Sequence, residues 1–502
     1  MIGGGITGLS AANRLIEEQQ ARQVPLAVTL LEGSDRLGGT IQTQEVDGFL
    51  IETGPDAFIS TKPWALALCT RIGLSDRLIR TNETFRRTHI VRKGALLPVP
   101  EGFLMLAPTR FWPFVTSPLF SWPGKLRMAL DLVLPRGPQC EDESLGSFVT
   151  RRLGREALER IAQPLVSGIY TADPDVLSLR ATMPRFLDME TQHRSIITAM
   201  WREQRTVAQR TRDGTSGRKI ADSGARYSLF VSFDRGMKTL IDTLAVRLPG
   251  GVAQRQKSVA TVRRRDAAWD VVLSDGMTFQ ADAVLIAVPA HRAAGMVQEL
   301  DAELAADLSA IPYAPSVVVN LAYRRQDIPH PLDGFGFVVP AIERRSLIAC
   351  TFSSVKFAGR APDGWALLRV FIGGTMQAHL CELDDEELLR AVRKDLHDLL
   401  GIEAAPRLTL IARHPASMPQ YPVGHLQHVA RIQARAARYP GLAFIGNAYG
   451  GIGMPDCVHA GETAAEQVLE RVKERDTGFG VRGTGGNSGF GVRGSGKQGE
   501  KK

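Results

Sequence analysis

The pattern of hydrophobic and polar positions divides this chain into helix-like and strand-like stretches. Residues 9–18 repeat apolar positions at helical spacing, and the apolar stretch after them ends at Glu32, as a strand would. A helical pattern punctuated by prolines begins after residue 62, and further helices are expected over 384–400 and from Met454. Strand-like runs cover residues 227–234, 259–264, 269–274, 282–288, 317–323, 347–353, 366–372 and 442–445.

Some of these strands are apolar throughout, and residues 283–287 are the clearest example. Fully apolar strands are typical of parallel sheets covered by helices on both faces. Residues 259–276 have a charged turn between two strands, which indicates a β-meander. The pattern predicts an α/β fold, and 502 residues exceed one hydrophobic core, so two or three domains are expected.

Glycines at the start of the chain form the motif GxGxxG at Gly3, Gly5 and Gly8. In dinucleotide-binding folds the first glycine allows a tight turn, the second admits a pyrophosphate and the third lets the helix pack on the sheet. The helix N-terminus then faces the phosphates. Glu32 closes the next strand, where a carboxylate accepts hydrogen bonds from an adenosine ribose. These residues together predict a dinucleotide site.

A second glycine turn follows at Gly38 and Gly39, with Arg36 just before it. The turn brings backbone beside a second part of the cofactor, and an arginine there suits a phosphate or a flavin edge. The string from Glu32 to Gly39 resembles the double-glycine signature of the flavin-containing amine oxidase superfamily. That resemblance favours FAD over NAD.

A third glycine-rich segment, residues 446–453, connects a strand to the helix that begins at Met454. A glycine loop that leads into a helix N-terminus suits an electron-rich group such as a flavin pyrimidine. Gly446, Gly453 and Met454 are therefore expected to bind the cofactor. Cys457 lies inside the helix and is not placed for covalent attachment, so we expect FAD to be bound non-covalently.

Composition and charge narrow the function classes. The chain is 44% hydrophobic and 23% charged, as in soluble globular proteins, and it has no run of about 18 apolar residues that could span a membrane. Its net charge of +8 is partly local, in residues 202–226 and 476–502. There is no basic stripe with interleaved aromatic residues, so nucleic acid is not indicated. An acidic small molecule or an anionic membrane surface is compatible with the charge.

The five cysteines are widely spaced and form no CxxC motif. This spacing indicates reduced thiols in a cytoplasmic location and argues against a metal site. The C-terminal tail repeats the sequence GFGVRG at 478–483 and 489–494. Because the tail is glycine-rich and cationic, residues 475–502 are predicted to be disordered and to have no catalytic role.

Residues 103–123 combine bulky aromatic side chains with prolines at positions 108, 113, 118 and 123. Prolines at this spacing exclude one long helix. The segment suits a membrane contact without a span, or the mouth of an apolar substrate channel. A buried cluster of loops is the alternative interpretation.

Only Met1 and Ile2 precede the first glycine. A dinucleotide fold places a buried parallel strand of about five or six residues at this point. We therefore expect the natural protein to begin upstream with an apolar strand, and the chain as printed to fold poorly or to hold little FAD. Intact-mass analysis of the native protein would test this expectation.

Three blocks of the sequence resemble the oxygen-dependent protoporphyrinogen oxidase family and the bacterial coproporphyrinogen III oxidases related to it. They are Glu-Thr-Gly-Pro-Asp at 52–56, the segment 164–184, and Gly-Asn-Ala-Tyr-Gly-Gly at 446–451. The resemblance covers roughly residues 2–472 in order. It implies the six-electron oxidation of a porphyrinogen to a porphyrin in heme biosynthesis, in three flavin cycles. Dioxygen would reoxidise the flavin and yield hydrogen peroxide.

The resemblance implies a discontinuous Rossmann-like FAD-binding domain, an α+β substrate domain and a helical insertion domain that contains the aromatic segment. In the first domain Val259 is expected among the cofactor-binding residues. The resemblance leaves open a peripheral contact with the cytoplasmic membrane and the hand-off of product to a ferrochelatase. The expected domain boundaries are 1–62, 228–292 and 411–474 for FAD binding, 78–95, 182–227 and 293–410 for the substrate domain, and 63–77 and 96–181 for the helical domain.

The resemblance also marks residues around the substrate. Arg87 would bind a propionate, with Arg86 as the alternative one position away. Val338 and Phe357 would contact the macrocycle, although plain core is the alternative interpretation for these residues and for Gly168, and the favoured one for Val338. Gly168 would present its backbone beside the reacting carbon.

Two alternatives come from other function classes. Amine oxidases share the flavin fold, but Tyr449 lacks the partner tyrosine that would complete an aromatic pair near the flavin. A non-catalytic porphyrin carrier is the second alternative, and glycine loops on both sides of the cofactor argue against it. The sequence does not distinguish protoporphyrinogen IX from coproporphyrinogen III, nor does it give the oligomeric state.

Overall fold

The computed structural model describes residues 1–100, 102–104, 107–108, 110–137, 141–212 and 230–476. Most of the predicted disordered tail lies outside these residues, as do Cys140, residues 213–226 of the basic segment and the start of the predicted strand 227–234. The last helix reaches Asp476, two residues into the predicted tail.

A parallel sheet flanked by helices confirms the predicted α/β class. Ile2 forms bridges with both Leu31 and Ile286, so it occupies the middle position of the sheet. Helices Ile6–Arg22 and Met454–Asp476 pack together beside it. In spatial order the sheet runs Ala253–Gln254, Leu30–Leu31, Ile2, Val284–Ile286 and Leu442–Phe444, all parallel. The expectation of a strand upstream of Met1 stays a prediction.

The predicted meander is confirmed as an antiparallel three-stranded sheet beside the parallel one. Its core residue Trp269 is fully buried and shares a cluster with Ile2 and Leu31, which joins the two sheets. The strands are Val259–Arg265, Ala268–Leu273 and Thr278–Ala281.

A seven-stranded sheet forms the second half of the molecule. The predicted strands 317–323 and 366–372 are confirmed inside two of its longer strands, and the amphipathic helix Asp385–Leu400 packs on one face. All neighbours are antiparallel except Gly336–Val338 and His89–Arg92. In spatial order the strands are Leu408–Pro419, Tyr313–Arg324, Trp365–Gly373, Ala349–Phe352, Gly336–Val338, His89–Arg92 and Ala95–Pro98.

A third region is mostly helical and faces the opposite side of that sheet. Its apolar core includes Phe114, Phe148 and Ile161, and it reaches Val338 of the sheet. The α-helices in the described part of this region are Phe111–Thr116, Trp122–Ala129, Leu145–Leu153, Arg155–Ala157, Gln163–Tyr170, Leu179–Thr182, Pro184–His193 and Ile196–Arg212.

The remaining elements connect these regions. The strands are the hairpin Thr43–Val46 with Phe49–Glu52, and the small sheet of Phe58–Ile59, Phe230–Phe233 and Leu78–Arg80. The helices are Pro63–Arg71, Lys238–Val246, Ala290–Val297, Ala302–Ser309, Ser353–Lys356 and His425–Ala436.

The helical pattern expected after residue 62 is wrong for residues 89–108. Ala95–Pro98 pairs with His89–Arg92, and Phe103–Leu104 pairs with Ala107–Pro108. The prolines here remove amide donors that a helix interior needs, whereas strand ends and hairpins tolerate them. The aromatic segment thus begins as a short hairpin and turns helical at Phe111.

Candidate active site

The first glycine loop is built as the sequence predicts. Gly3 has φ +105°, and a Cβ there would lie 2.6 Å from the carbonyl oxygen of Ala287. A Cβ on Gly8 would overlap the carbonyl oxygen of Gly3, so the helix packs directly on the loop. Gly5, by contrast, has open space within 4 Å at the N-terminus of the helix. That space, bounded by helix amides, fits a pyrophosphate.

Glu32 lies at the end of its strand and is held firmly. Its Oε2 accepts a hydrogen bond from the amide of Gly4 at 2.7 Å, and its Oε1 accepts from the amide and hydroxyl of Ser34, both at 2.8 Å. A carboxylate offers about four acceptor positions, so one is left for a ribose hydroxyl. Val259, the other predicted cofactor residue near this strand, lies two residues after Lys257, whose amide donates to the carbonyl of Glu32 at 2.8 Å. A contact of Val259 with the cofactor stays a prediction.

The double-glycine turn lies against the first loop. The amide of Gly38 donates to Gly4 at 2.8 Å, and both Gly38 and Gly39 have positive φ, +107° and +58°. Arg36 donates to the carbonyl oxygens of Gly39 at 2.6 Å and Ile41 at 3.3 Å, so its guanidinium stabilises the double-glycine turn itself. A contact of Arg36 with a phosphate or the flavin edge stays a prediction.

The third glycine segment leaves the parallel sheet at the same edge as the first. Gly446 has φ +132° with open space around it. A Cβ on Gly453 would lie 2.9 Å from Oδ2 of Asp456, which sits in the first turn of the helix that begins at Met454. Met454 shares an apolar cluster with Leu9 of the first helix, so the two glycine-led helices meet.

The large sheet presents an apolar row to the helical region. The register places Val318, Phe371, Ala349, Val338 and Ile90 side by side on five neighbouring strands. We call these five residues the apolar row. Such a row forms an apolar wall suited to a hydrophobic ligand.

The structure brings Gly168 and the third glycine segment to this wall. A Cβ on Gly168 would lie 3.8 Å from Cγ1 of Val338, an ordinary contact. Ile452, between Gly451 and Gly453, packs in the same cluster as Val338 and Phe371. Gly168, Val338 and the third glycine segment therefore meet here, although the role of each stays a prediction.

The propionate candidates lie near the end of the wall. Arg87 is exposed, with Nη1 3.9 Å from Oδ2 of Asp333. Arg86 is more enclosed: it donates to Glu83 at 2.7 Å, and its buried Nε has no hydrogen-bond partner. A propionate contact of Arg87, or of Arg86 as the alternative, stays a prediction.

A cluster of buried charges was not assigned from the sequence. Lys356 Nζ lies 2.7 Å from Asp56 Oδ2, and Arg369 Nη1 lies 3.5 Å from Asp56 Oδ1. Arg369 also donates to the carbonyl of Gly54. Burial on its own would raise the pKa of Asp56, but these two cations lower it to about 2. Two features of the sequence could have indicated this cluster: Lys356 directly before Phe357, and Arg369 inside the otherwise apolar strand Trp365–Gly373.

Phe357 lies in this cluster and is fully buried. Lys356 and Arg360 approach its ring at 5.1 and 5.5 Å. Arg360 donates to Ser232 Oγ at 2.9 Å and so fixes the small sheet. The predicted contact of Phe357 with the macrocycle stays a prediction. Among the described residues, no group of acidic, histidine or cysteine side chains could hold a metal ion.

These features are those of an FAD-dependent oxidoreductase fold: a parallel sheet, two glycine-led helices at one edge, and a second sheet whose apolar row contacts the third glycine segment. The matching family model, flavin containing amine oxidoreductase, covers residues 6–469. The chain is 34% identical to the coproporphyrinogen III oxidase of Bacillus subtilis, over 93% of this chain and 97% of that one. It is 31% identical to chloroplastic protoporphyrinogen oxidase 1 of Arabidopsis thaliana, over 93% and 87%.

A crystal structure from Exiguobacterium sp. 255-15, named as a protoporphyrinogen oxidase, superposes with a TM-score of 0.81 at 31% identity, covering 93% of this chain and 98% of that one. The chain therefore belongs to the flavin-containing amine oxidoreductase family, and within it to the group of porphyrinogen oxidases. The predicted cofactor, FAD, and the predicted enzyme class, oxidoreductase, are confirmed.

Proposed function

We propose that this protein oxidises coproporphyrinogen III to coproporphyrin III by removing six electrons. The observation that carries the proposal is the apolar row. It contacts Gly168 of helix Gln163–Tyr170 and packs with Ile452 of the third glycine segment. When bound there, FAD supplies the hydride acceptor. The chain itself places the macrocycle against the apolar row, directs one bridging carbon to the flavin and excludes water.

The choice between two porphyrinogens rests on charge. Arg369 precedes Phe371 by two residues, and Arg92 follows Ile90 by two, so both arginines share the face of the apolar row on opposite sides of it. Nε of each is buried without a hydrogen-bond partner. Coproporphyrinogen III carries propionates on two rings where protoporphyrinogen IX carries vinyl groups. Because Arg369 is already paired with Asp56, Arg92 is the cation beside the wall that favours the more acidic substrate.

The test is a comparison of the two porphyrinogens with one preparation of the purified protein. Fluorescence of the oxidised porphyrin gives initial rates, and peroxide is measured in parallel because dioxygen is the proposed electron acceptor. We expect kcat/KM at least ten-fold higher for coproporphyrinogen III. Equal values, or a preference for protoporphyrinogen IX, would contradict the substrate assignment. Hand-off of product to a ferrochelatase stays a prediction.

We also propose that the helical region rests on an anionic membrane surface. Four apolar side chains there are largely exposed: Trp112 at 73%, Trp122 at 66%, Leu126 at 70% and Val133 at 67%. Lys125 Nζ lies 4.6 Å above the Trp122 ring. We call these four residues the exposed apolar patch. No helix in the described part of the chain is long and apolar enough to cross a membrane, so the contact would be peripheral.

A further inference from the structure

The segment just before helix His425–Ala436 contains a tyrosine in contact with the third glycine segment. Tyr421 is almost fully buried, and its hydroxyl donates to the carbonyl oxygen of Asn447. The same hydroxyl accepts a hydrogen bond from the amide of Gly451 at 3.0 Å. One side-chain oxygen thus links the beginning and the end of the loop that carries Gly446 and Gly453.

The ring of Tyr421 is itself held in place. It stacks on His425 with 4.0 Å between the ring centroids and 11° between the planes. His425 is only 1% exposed, and its imidazole lies against the backbone of Ala448 in the same glycine segment. The imidazole therefore acts as a packing surface under the phenol ring, and it keeps the hydroxyl pointed at the loop.

The residues beside Tyr421 are hydrogen-bonded to the helical region. Its carbonyl accepts a hydrogen bond from the amide of Ser178 at 2.8 Å, and Leu177 pairs with Pro422. Nε2 of Gln420 donates to the carbonyl of Tyr170 at 3.1 Å. Through Tyr421, these contacts connect the third glycine segment to the helix that carries Gly168.

We propose that Tyr421 is a positioning residue for the flavin: its hydroxyl fixes the third glycine segment relative to the helix N-terminus at Met454. The inference rests on the proposed placement of the flavin pyrimidine at that segment. Without the hydroxyl, Asn447 loses its donor and Gly451 its acceptor, so the loop amides are no longer presented in one geometry. Both the retention of FAD and the electronic state of the flavin ring should respond.

The experiment compares holoenzymes of the wild type, Tyr421→Phe and Tyr439→Phe. Tyr439 is the matched control, because its hydroxyl bonds Asp301 at 3.2 Å, a contact on the distal side of the parallel sheet. We measure FAD release by the recovery of flavin fluorescence, the visible absorption of bound flavin and its midpoint potential. Tyr421→Phe should release FAD about five- to fifty-fold faster, with a shifted spectrum and potential, while Tyr439→Phe matches the wild type.

A fourth variant, Gly446→Ala, separates this proposal from the placement of the flavin. Ala at φ +132° strains the loop and fills the open space beside it, so FAD should be lost if the flavin lies there. If Gly446→Ala loses FAD but Tyr421→Phe behaves as the wild type in all three measurements, the role of Tyr421 is wrong. If both variants retain FAD with an unchanged spectrum, the placement of the flavin is wrong as well.

Discussion

At the scale of single residues, the buried charges behind the glycine loops are the feature most sensitive to substitution. Asp56 faces Lys356 and Arg369, and Glu52 lies nearby with its Oε1 accepting from the amide of Met237 at 2.8 Å. Burial raises the pKa of Glu52, whereas Lys356 and Arg369 hold the pKa of Asp56 down at about 2. Removing that one carboxylate leaves buried positive charge without a partner.

Asp56→Asn should therefore lower the free energy of unfolding by about 3 kcal/mol at pH 7. Denaturant unfolding of the holoenzyme measures this loss. Asp275→Asn is the control, because Asp275 pairs with Lys257 at the surface and its replacement should cost far less. Equal effects of the two substitutions would show that the cluster adds no stability.

His425 predicts a pH dependence. Burial lowers its pKa to about 4 in the folded protein, against about 6.5 in the unfolded chain. Between these values the unfolded chain binds a proton that the folded protein does not, so stability falls as the pH drops from 6.5 to 4. The contribution is on the order of 3 kcal/mol.

His425→Phe keeps a ring under Tyr421 and removes the titration, so its stability should change less than that of the wild type across this pH range. Unfolding free energies at pH 4.5 and 7 give the comparison. His379→Phe, at an exposed position, is the control and should follow the wild type. A His425→Phe profile as steep as that of the wild type would rule out this source of acid sensitivity.

At the scale of elements, the glycines act through close backbone approach as well as through φ. Gly461 lies in the last helix, and a Cβ there would overlap the carbonyl oxygen of Thr7 in the first helix. The two helices that lead from the glycine loops therefore touch without intervening side chains. This contact fixes their N-termini relative to each other.

Gly461→Ala should force the two helices apart, destabilise the protein by about 1–3 kcal/mol and weaken FAD retention. Gly295→Ala is a matched change inside helix Ala290–Val297, where a Cβ would meet nothing within 4 Å. That control should gain roughly 0.5–1 kcal/mol, because alanine is the better helix former. Thermal unfolding and bound-flavin content measure both, and a neutral Gly461→Ala would contradict the close contact.

The exposed apolar patch is the second element-scale test. Replacing Trp112 and Trp122 together with glutamine should reduce binding to anionic liposomes at low salt at least ten-fold, because the apolar area that enters the interface is removed. Co-sedimentation measures the binding, with neutral liposomes for comparison. Met277→Gln, an exposed apolar position on the meander, is the control. Wild-type protein that does not bind anionic liposomes would contradict the proposed membrane contact.

At the scale of the whole molecule, local sequence patterns predicted the helices and strands, whereas the candidate site is formed by contacts between residues far apart in the chain. Gly3, Gly5, Gly8 and Glu32 could be placed from spacing alone, because strand, turn and helix follow each other directly in the chain. The contact between Gly168 and Val338 joins positions far apart in sequence, and only the resemblance pointed to it. Nothing in the local pattern around Tyr421 indicated its contact with the loop at 447–451.

The most direct test of the proposed function is the bleaching of bound flavin by substrate without oxygen. Purified holoenzyme is mixed anaerobically with coproporphyrinogen III or protoporphyrinogen IX, and flavin absorbance is followed in a stopped-flow instrument. We predict bleaching by coproporphyrinogen III at least ten-fold faster than by protoporphyrinogen IX, with porphyrin fluorescence appearing once oxygen is admitted. Flavin that stays oxidised with both porphyrinogens would contradict the assignment of this protein as a porphyrinogen oxidase.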